Sequence, residues 1–329
     1  MKVVAMTPDE RRTQIVTLIE AGESVTPANL AARFEVSEDS IRSDLRALAD
    51  LEMIRRVHDG AVPRSPAALP WSMAKLFTTE VGTGKHVMLL HGWTCDSHDW
   101  NWQLPLFESK YRVVAADLRG HGSSEVMPSG AYTPADYVAD IEALISTKYP
   151  GQKFVIVGHS MGGQIAARLA AKRPDLVSAV VSVDGSLGFS SEAAQLWRET
   201  AHDLAIGDPG VVVPALFQLG YDPTTDPVYK RWHARRVQGM PLHVVRESFG
   251  PLFFGADQVG AGEASAKFCK GVTVPFYHLC RDPVQAARMR PWFSHPKSKV
   301  DVWSNAGHWI MQDRKDDVNA AVTAWIDAL

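Results

Sequence analysis

The chain has 329 residues, 46% of them hydrophobic and 22% charged, with a net charge of −3. This is ordinary globular composition for one or two domains, and it excludes a strongly basic nucleic-acid binder or a disordered chain. Three cysteines, Cys95, Cys269 and Cys280, form neither a disulfide framework nor a metal spacing. The first residues lack a signal-peptide hydrophobic region and no apolar run is long enough to span a bilayer, so a cytoplasmic location and no membrane partner are expected.

Residues 1–62 read as three helices and a hairpin. The first helix, Asp9–Ala21, has apolar residues at Ile15, Leu18 and Ile19. The second, Thr26–Phe34, has Pro27 in its first turn, where a missing N–H costs nothing. After the turn at Glu35-Val36, Ser37 can cap a third helix whose first turn holds Glu38 and Asp39. Ile41, Leu45 and Leu48 line its apolar face at helical spacing, and Ile54–Val62 reads as a β-wing. These stretches resemble the winged helix-turn-helix of DeoR-type regulators: Leu30–Ser37, Ile41-Arg42-Ser43-Asp44-Leu45-Arg46, and Arg55–Ala61. The resemblance implies DNA contact through Arg42, Arg46, Arg55 and Arg56. The sequence departs from the family at Ser43, usually basic, and at Asp59, usually glycine. Eight basic residues stand against eleven acidic ones over residues 1–62, the opposite of a phosphate-binding footprint. The alternative role for this segment is packing, either against the rest of the chain or in a homodimer.

Residues 63–74 have linker composition, with prolines at 63, 66 and 70. From 75 to 329 strands and helices alternate, so a mostly parallel sheet covered by helices is expected. Strands are expected at His86–Leu90, Tyr111–Asp117, Val177–Val183, Val274–Cys280 and Lys299–Trp303, and helices at Thr133–Tyr149 and Asp316–Ala328. The most informative stretch is Gly158-His159-Ser160-Met161-Gly162, between the apolar run Phe154–Val157 and a helical run from Gly163. A serine between small residues on a strand-to-helix turn is the nucleophile elbow. Residues 186–272 break the alternation and read as an inserted helical cap.

Four stretches in order resemble the α/β-hydrolase fold over residues 75–329: His91-Gly92, Asp117–Gly122, Gly158–Gly163 and Gly307-His308. The resemblance implies Ser160 as nucleophile and His308 as its base. It also implies an oxyanion hole from the backbone N–H groups of Met161 and Trp93. The acid has two candidates. Asp282 follows the penultimate strand, the usual place, but the turn from Pro275 is short. Asp184 ends the Val177–Val183 strand, 24 residues after Ser160, and is preferred because a triad is defined by geometry.

Trp93, Trp197, Phe217, Tyr221, Met240 and Trp309 are expected to line an apolar substrate pocket. Arg235, Arg236 and Arg246 read as solvated helix charges. His91 and His121 read as loop braces, and the other histidines show no paired ligand spacing, so neither cofactor nor metal is implied. The expected activity is hydrolysis of a carboxylic ester or lactone of a small hydrophobic molecule. C–C bond hydrolysis or cofactor-free oxygenation is the alternative on the same fold. Epoxide and haloalkane hydrolysis need an aspartate where Ser160 stands. The alternative from another class is a ligand-responsive DNA-binding regulator.

Overall fold

The computed structural model describes residues 6–20, 25–50, 54–57, 60–63 and 73–329. The chain divides into two compact units, Met1–Pro70 and Trp71–Leu329. Residues 64–72 of the linker and the wing tip at His58-Asp59 lie outside the described residues.

In the first unit, α1 (Pro8–Glu20), α2 (Pro27–Phe34) and α3 (Glu38–Asp50) precede the antiparallel pair β1 (Ile54–Val57) and β2 (Gly60–Pro63). Thr26 caps α2 by accepting from the Asn29 N–H at 3.2 Å, and Ser37 accepts from the Ser40 N–H at 3.2 Å at the start of α3. Ile15, Leu18, Ile19, Leu30, Ile41, Leu45, Leu48 and Ile54 close into one apolar core. The buried Asp44 carboxylate is held by Arg11 Nε at 2.5 Å and Arg12 Nε at 3.0 Å.

The second unit is a seven-stranded sheet of order β3-β5-β4-β6-β7-β8-β9. Its strands are β3 (Thr78–Val81), β4 (His86–Leu90), β5 (Arg112–Ala116), β6 (Phe154–His159), β7 (Val177–Val183), β8 (Phe276–Cys280) and β9 (Lys299–Val302). All pairings are parallel except that of β3, a short half-exposed edge strand. The strand expected from Val274 starts at Phe276, since Pro275 has no N–H for the ladder. The centre of the sheet is buried: all six residues of β6 are buried, and full burial of a Val or Ile contributes about 1.5–3 kcal/mol.

Helices α4 (Leu104–Glu108), α5 (Pro134–Lys148) and α6 (Met161–Lys172) connect the first strands. Thr133 and Asp136 form a reciprocal capping box at the start of α5. Between β7 and β8 the chain leaves the sheet as five helices: α7 (Ser191–Ile206), α8 (Pro209–Gln218), α9 (Pro227–Gly239), α10 (Leu242–Phe249) and α11 (Gly262–Lys270). These helices fall within residues 186–272, the segment expected to form an inserted cap, and are called the cap below. Helices α12 (Pro283–Met289), α13 (Ile310–Asp313) and α14 (Lys315–Asp327) complete the unit. No helix among the described residues is long and apolar enough to cross a membrane.

Candidate active site

Strands β4, β6, β7, β8 and β9 all end at one edge of the sheet, where parallel architectures collect their reactive groups. Ser160 stands between β6 and α6 with φ 50° and ψ −114°. A non-glycine residue held there stores about 1–3 kcal/mol of backbone strain, a cost met by the packed surroundings. Those surroundings need glycines: a Cβ on Gly158 would lie 2.3 Å from the Gly162 carbonyl, and one on Gly162 would lie 2.4 Å from the Leu90 carbonyl. Ser160 N–H donates to Val183 O at 3.0 Å, which ties the elbow to the end of β7. Its Oγ lies 3.5 Å from the hydroxyl of Ser186.

β6 and β7 run in register, Gly158 beside Ser182 and His159 beside Val183. Asp184, one residue beyond, therefore emerges next to Ser160. It has φ 43° and is 7% exposed. His308, on the loop after β9, donates from Nδ1 to Asp184 Oδ2 at 2.7 Å. Arg281 Nε lies 3.2 Å from the same oxygen. Burial opposes ionisation of Asp184 most strongly. The hydrogen bond and charge of His308, with the charges of Arg281 and His278, outweigh it and hold the carboxyl below its usual value.

Asp282 has a different job. Its Oδ1 accepts from the Val284 N–H at 2.8 Å and caps α12. Asp184 and Asp282 both border the cavity described below, but the bond to His308 is made by Asp184.

Met161 is the first residue of α6, where a backbone N–H has no partner inside the helix. Gly92 comes so close to the elbow that an added Cβ would lie 3.2 Å from Ser160 Cβ, which puts the Trp93 backbone beside the serine. The histidines of the neighbouring loops are internal struts. His91 donates from Nδ1 to Gly92 O at 2.8 Å and accepts the Leu118 N–H at 2.9 Å. His121 accepts the Thr94 N–H at 3.3 Å, and burial pushes its pKa down to about 3.

Ser160 and His308 open into one cavity of about 410 Å³. Trp93, Phe189, Trp197, Phe217, Phe249, Phe253 and Trp309 are its aromatic lining, and Asp184, Ser186, Arg281, Asp282 and Gln285 join Ser160 and His308 as polar groups. Two residues expected there are elsewhere. Tyr221 stacks on Trp309 at 5.4 Å and has its hydroxyl 3.1 Å from His233 Nδ1, outside the cavity lining. Met240 ends α9 and packs against the core. Arg236 is also displaced from its expected role: it is mostly buried, with Nη1 2.6 Å from Asp99 Oδ1 and 3.1 Å from Asp96 Oδ1. No periodicity could reveal this, because the acids lie about 140 residues earlier in the chain. Ser186 and Arg281 were missed for want of a motif.

Beneath the site, Cys95, Asp99 and His159 bring ligand-type atoms within 4.8 Å of one another. This group does not fit a metal. The Arg236 cation already pairs with Asp99, and a Cβ on Gly92 would lie 2.7 Å from His159 Nδ1, so backbone crowds that nitrogen.

In the first unit, Arg42 pairs with Glu38 at 2.7 Å and Asp39 at 3.3 Å on its own helix. Arg46 is exposed on α3, and the side chains of Arg55 and Arg56 lie outside the described residues.

Comparison with known proteins follows the two units. Residues 85–212 match the alpha/beta hydrolase fold family, and residues 11–66 match the DeoR-like helix-turn-helix domain family. A serine hydrolase-like protein from Danio rerio is 36% identical over 122 residues, which span 37% of each chain. The 2-(acetamidomethylene)succinate hydrolase of Mesorhizobium japonicum is 27% identical over 268 residues, covering 76% of this chain and 90% of that one. Among solved structures, a thermophilic esterase from Thermogutta terrifontis superposes with a TM-score of 0.68 at 23% identity, over 80% of this chain and 96% of that one.

Proposed function

This chain carries an α/β-hydrolase-fold domain behind a DeoR-like helix-turn-helix domain, and we propose that it is a serine hydrolase of carboxylic esters or lactones. The observation that carries the reading is the Ser160 elbow opening into the same cavity as His308, whose Nδ1 is bonded to Asp184. With Nδ1 committed to the carboxylate, Nε2 is the ring nitrogen left to take the serine proton. Ser160 Oγ then attacks the acyl carbon. The oxyanion is received by the Met161 and Trp93 N–H groups, each worth about 2.7–4 kcal/mol in comparable sites. His308 returns the proton to the leaving alkoxide, and water repeats the sequence on the acyl-enzyme. The aromatic wall and the cavity of about 410 Å³ favour a small hydrophobic, aromatic substrate.

The test is a panel of p-nitrophenyl esters and lactones with wild type and Ser160→Ala. Turnover by wild type that disappears in the folded variant is expected. Turnover that survives the substitution would remove Ser160 as nucleophile.

A second reading, DNA binding by residues 1–62, has the helix-turn-helix match and the exposed Arg46 in its favour. Against it stand the acidic excess of that segment and the ion pairs that already engage Arg42.

A further inference from the structure

The cap is seated on the sheet domain by a buried charge contact whose residues are not part of the cavity lining. Arg236 on α9 pairs with Asp99, in the turn Ser97–Trp100 after β4; Asp99 is fully buried and the arginine side chain is 13% exposed. Asp96 supports the pair at 3.1 Å. One turn earlier on α9, His233 lies flat on Trp309, with ring centroids 3.9 Å apart and planes at 20°. Tyr221 stacks on Trp309 as well, and Phe217 meets it edge-on at 4.9 Å. Trp309 is the residue after His308. The same cap segment touches His308 directly. Gly220 O accepts the His308 N–H at 2.6 Å, and a Cβ on Gly220 would lie 3.3 Å from His308 Cβ. Thr225 Oγ1 donates to Asp313 at 2.9 Å on the oxygen that also accepts the Gly307 N–H at 2.7 Å.

We propose that Arg236, through its buried pair with Asp99, is a positioning residue for His308: it clamps residues 220–236 of the cap as the back wall of the histidine loop. The role of His308 as base rests on the hydrolase reading; the clamp itself does not. A buried ion pair that loses one member leaves an uncompensated charge, which pulls in water and separates the surfaces that enclosed it. Release of α9 would free Trp309 from its stack and let the His308 ring move relative to Ser160. Misplacement of a catalytic group by about 1 Å can cost about 100-fold in rate.

The test uses the full chain and two readouts, amide hydrogen exchange over residues 304–314 and the kcat–KM split on the best neutral ester. In folded Arg236→Met or Asp99→Asn, exchange at 305–312 should accelerate, and kcat should fall by about tenfold to 100-fold while KM stays within about threefold. The double variant Asp99→Asn with Arg236→Met leaves no fully buried unpaired charge, since Asp96 is part-exposed and keeps the His98 N–H, and should recover most of both losses. Arg236→Lys should retain most of both. Should the single variants fail to fold, His233→Ala, which keeps the ion pair, should loosen 305–312 alone.

Acceleration confined to α9, or a kcat loss that only tracks the unfolded fraction, overturns the proposal. So does a double variant no better than the product of its singles. If wild type cleaves no ester, the hydrolase reading fails, and exchange at 305–312 still decides the clamp.

Discussion

Replacing Asp184 by Asn removes one charge and almost no volume. Asn tolerates positive φ, so the backbone at φ 43° should persist. What changes is the partner of His308 Nδ1, now 2.7 Å from a carboxylate oxygen that can only accept. An amide can present N–H instead, which favours the wrong tautomer, and it could not stabilise the imidazolium that the proposed attack by Ser160 would form. Loss of the orienting carboxylate costs about four orders of magnitude in kcat in a well-studied serine protease. At about 1.36 kcal/mol per tenfold, that is about 5.4 kcal/mol of transition-state stabilisation. Arg281 loses its charge partner too, but its side chain is 36% exposed and water can solvate it, so little stability should be lost. Asp282→Asn is the matched control. Its carboxylate caps α12, and Asn caps about equally well, so stability should move by no more than a few tenths of a kcal/mol, and kcat should fall far less than in Asp184→Asn. The assay is kcat on the best ester, with thermal melts of both variants. An Asp184→Asn enzyme retaining more than about a tenth of wild-type kcat, or an equal loss in Asp282→Asn, would refute the geometry-based assignment.

Acid should destabilise the fold through its buried histidines. Burial pushes His121 and His159 down to about 3 and His233 and His278 to about 4, whereas an unfolded histidine titrates near about 6.5. Between about pH 6.5 and about pH 4 the unfolded chain binds more protons, so stability is full above this window and declines as pH falls through it. Melts that stay level from about pH 7 to about pH 5 would contradict this. For the helix-turn-helix domain, any DNA affinity should be weak, salt-sensitive and dependent on Arg46, since Arg42 is paired on its own helix. A low-salt gel shift with wild type and Arg46→Glu measures it, and tight binding unchanged by Arg46→Glu would contradict the prediction.

The fold and the tight turn at Ser160 were legible because they are written locally. The strand β6 opens on the apolar run Phe154–Val157 and β7 is rich in valine, and the glycines around Ser160 are demanded by a turn that admits no Cβ at Gly158 or Gly162. The edge strand β3 left no signal, being four residues long and half exposed. The order of the strands, and hence which acid reaches His308, could not be read with the same certainty. Asp184 and Asp282 each follow a strand; what separates them is the register of β6 against β7 and the use of Asp282 as a helix cap. The cap is less legible still. Tyr221 and Met240 look like pocket residues by composition, and Arg236 like a solvated charge. Arg236 is placed by the face of α9 that meets Asp99, and Tyr221 by its stack on Trp309. Chain-local patterns report what a segment can form on its own. Contacts between residues more than 100 positions apart depend on how whole elements pack, and only the tertiary structure decides them.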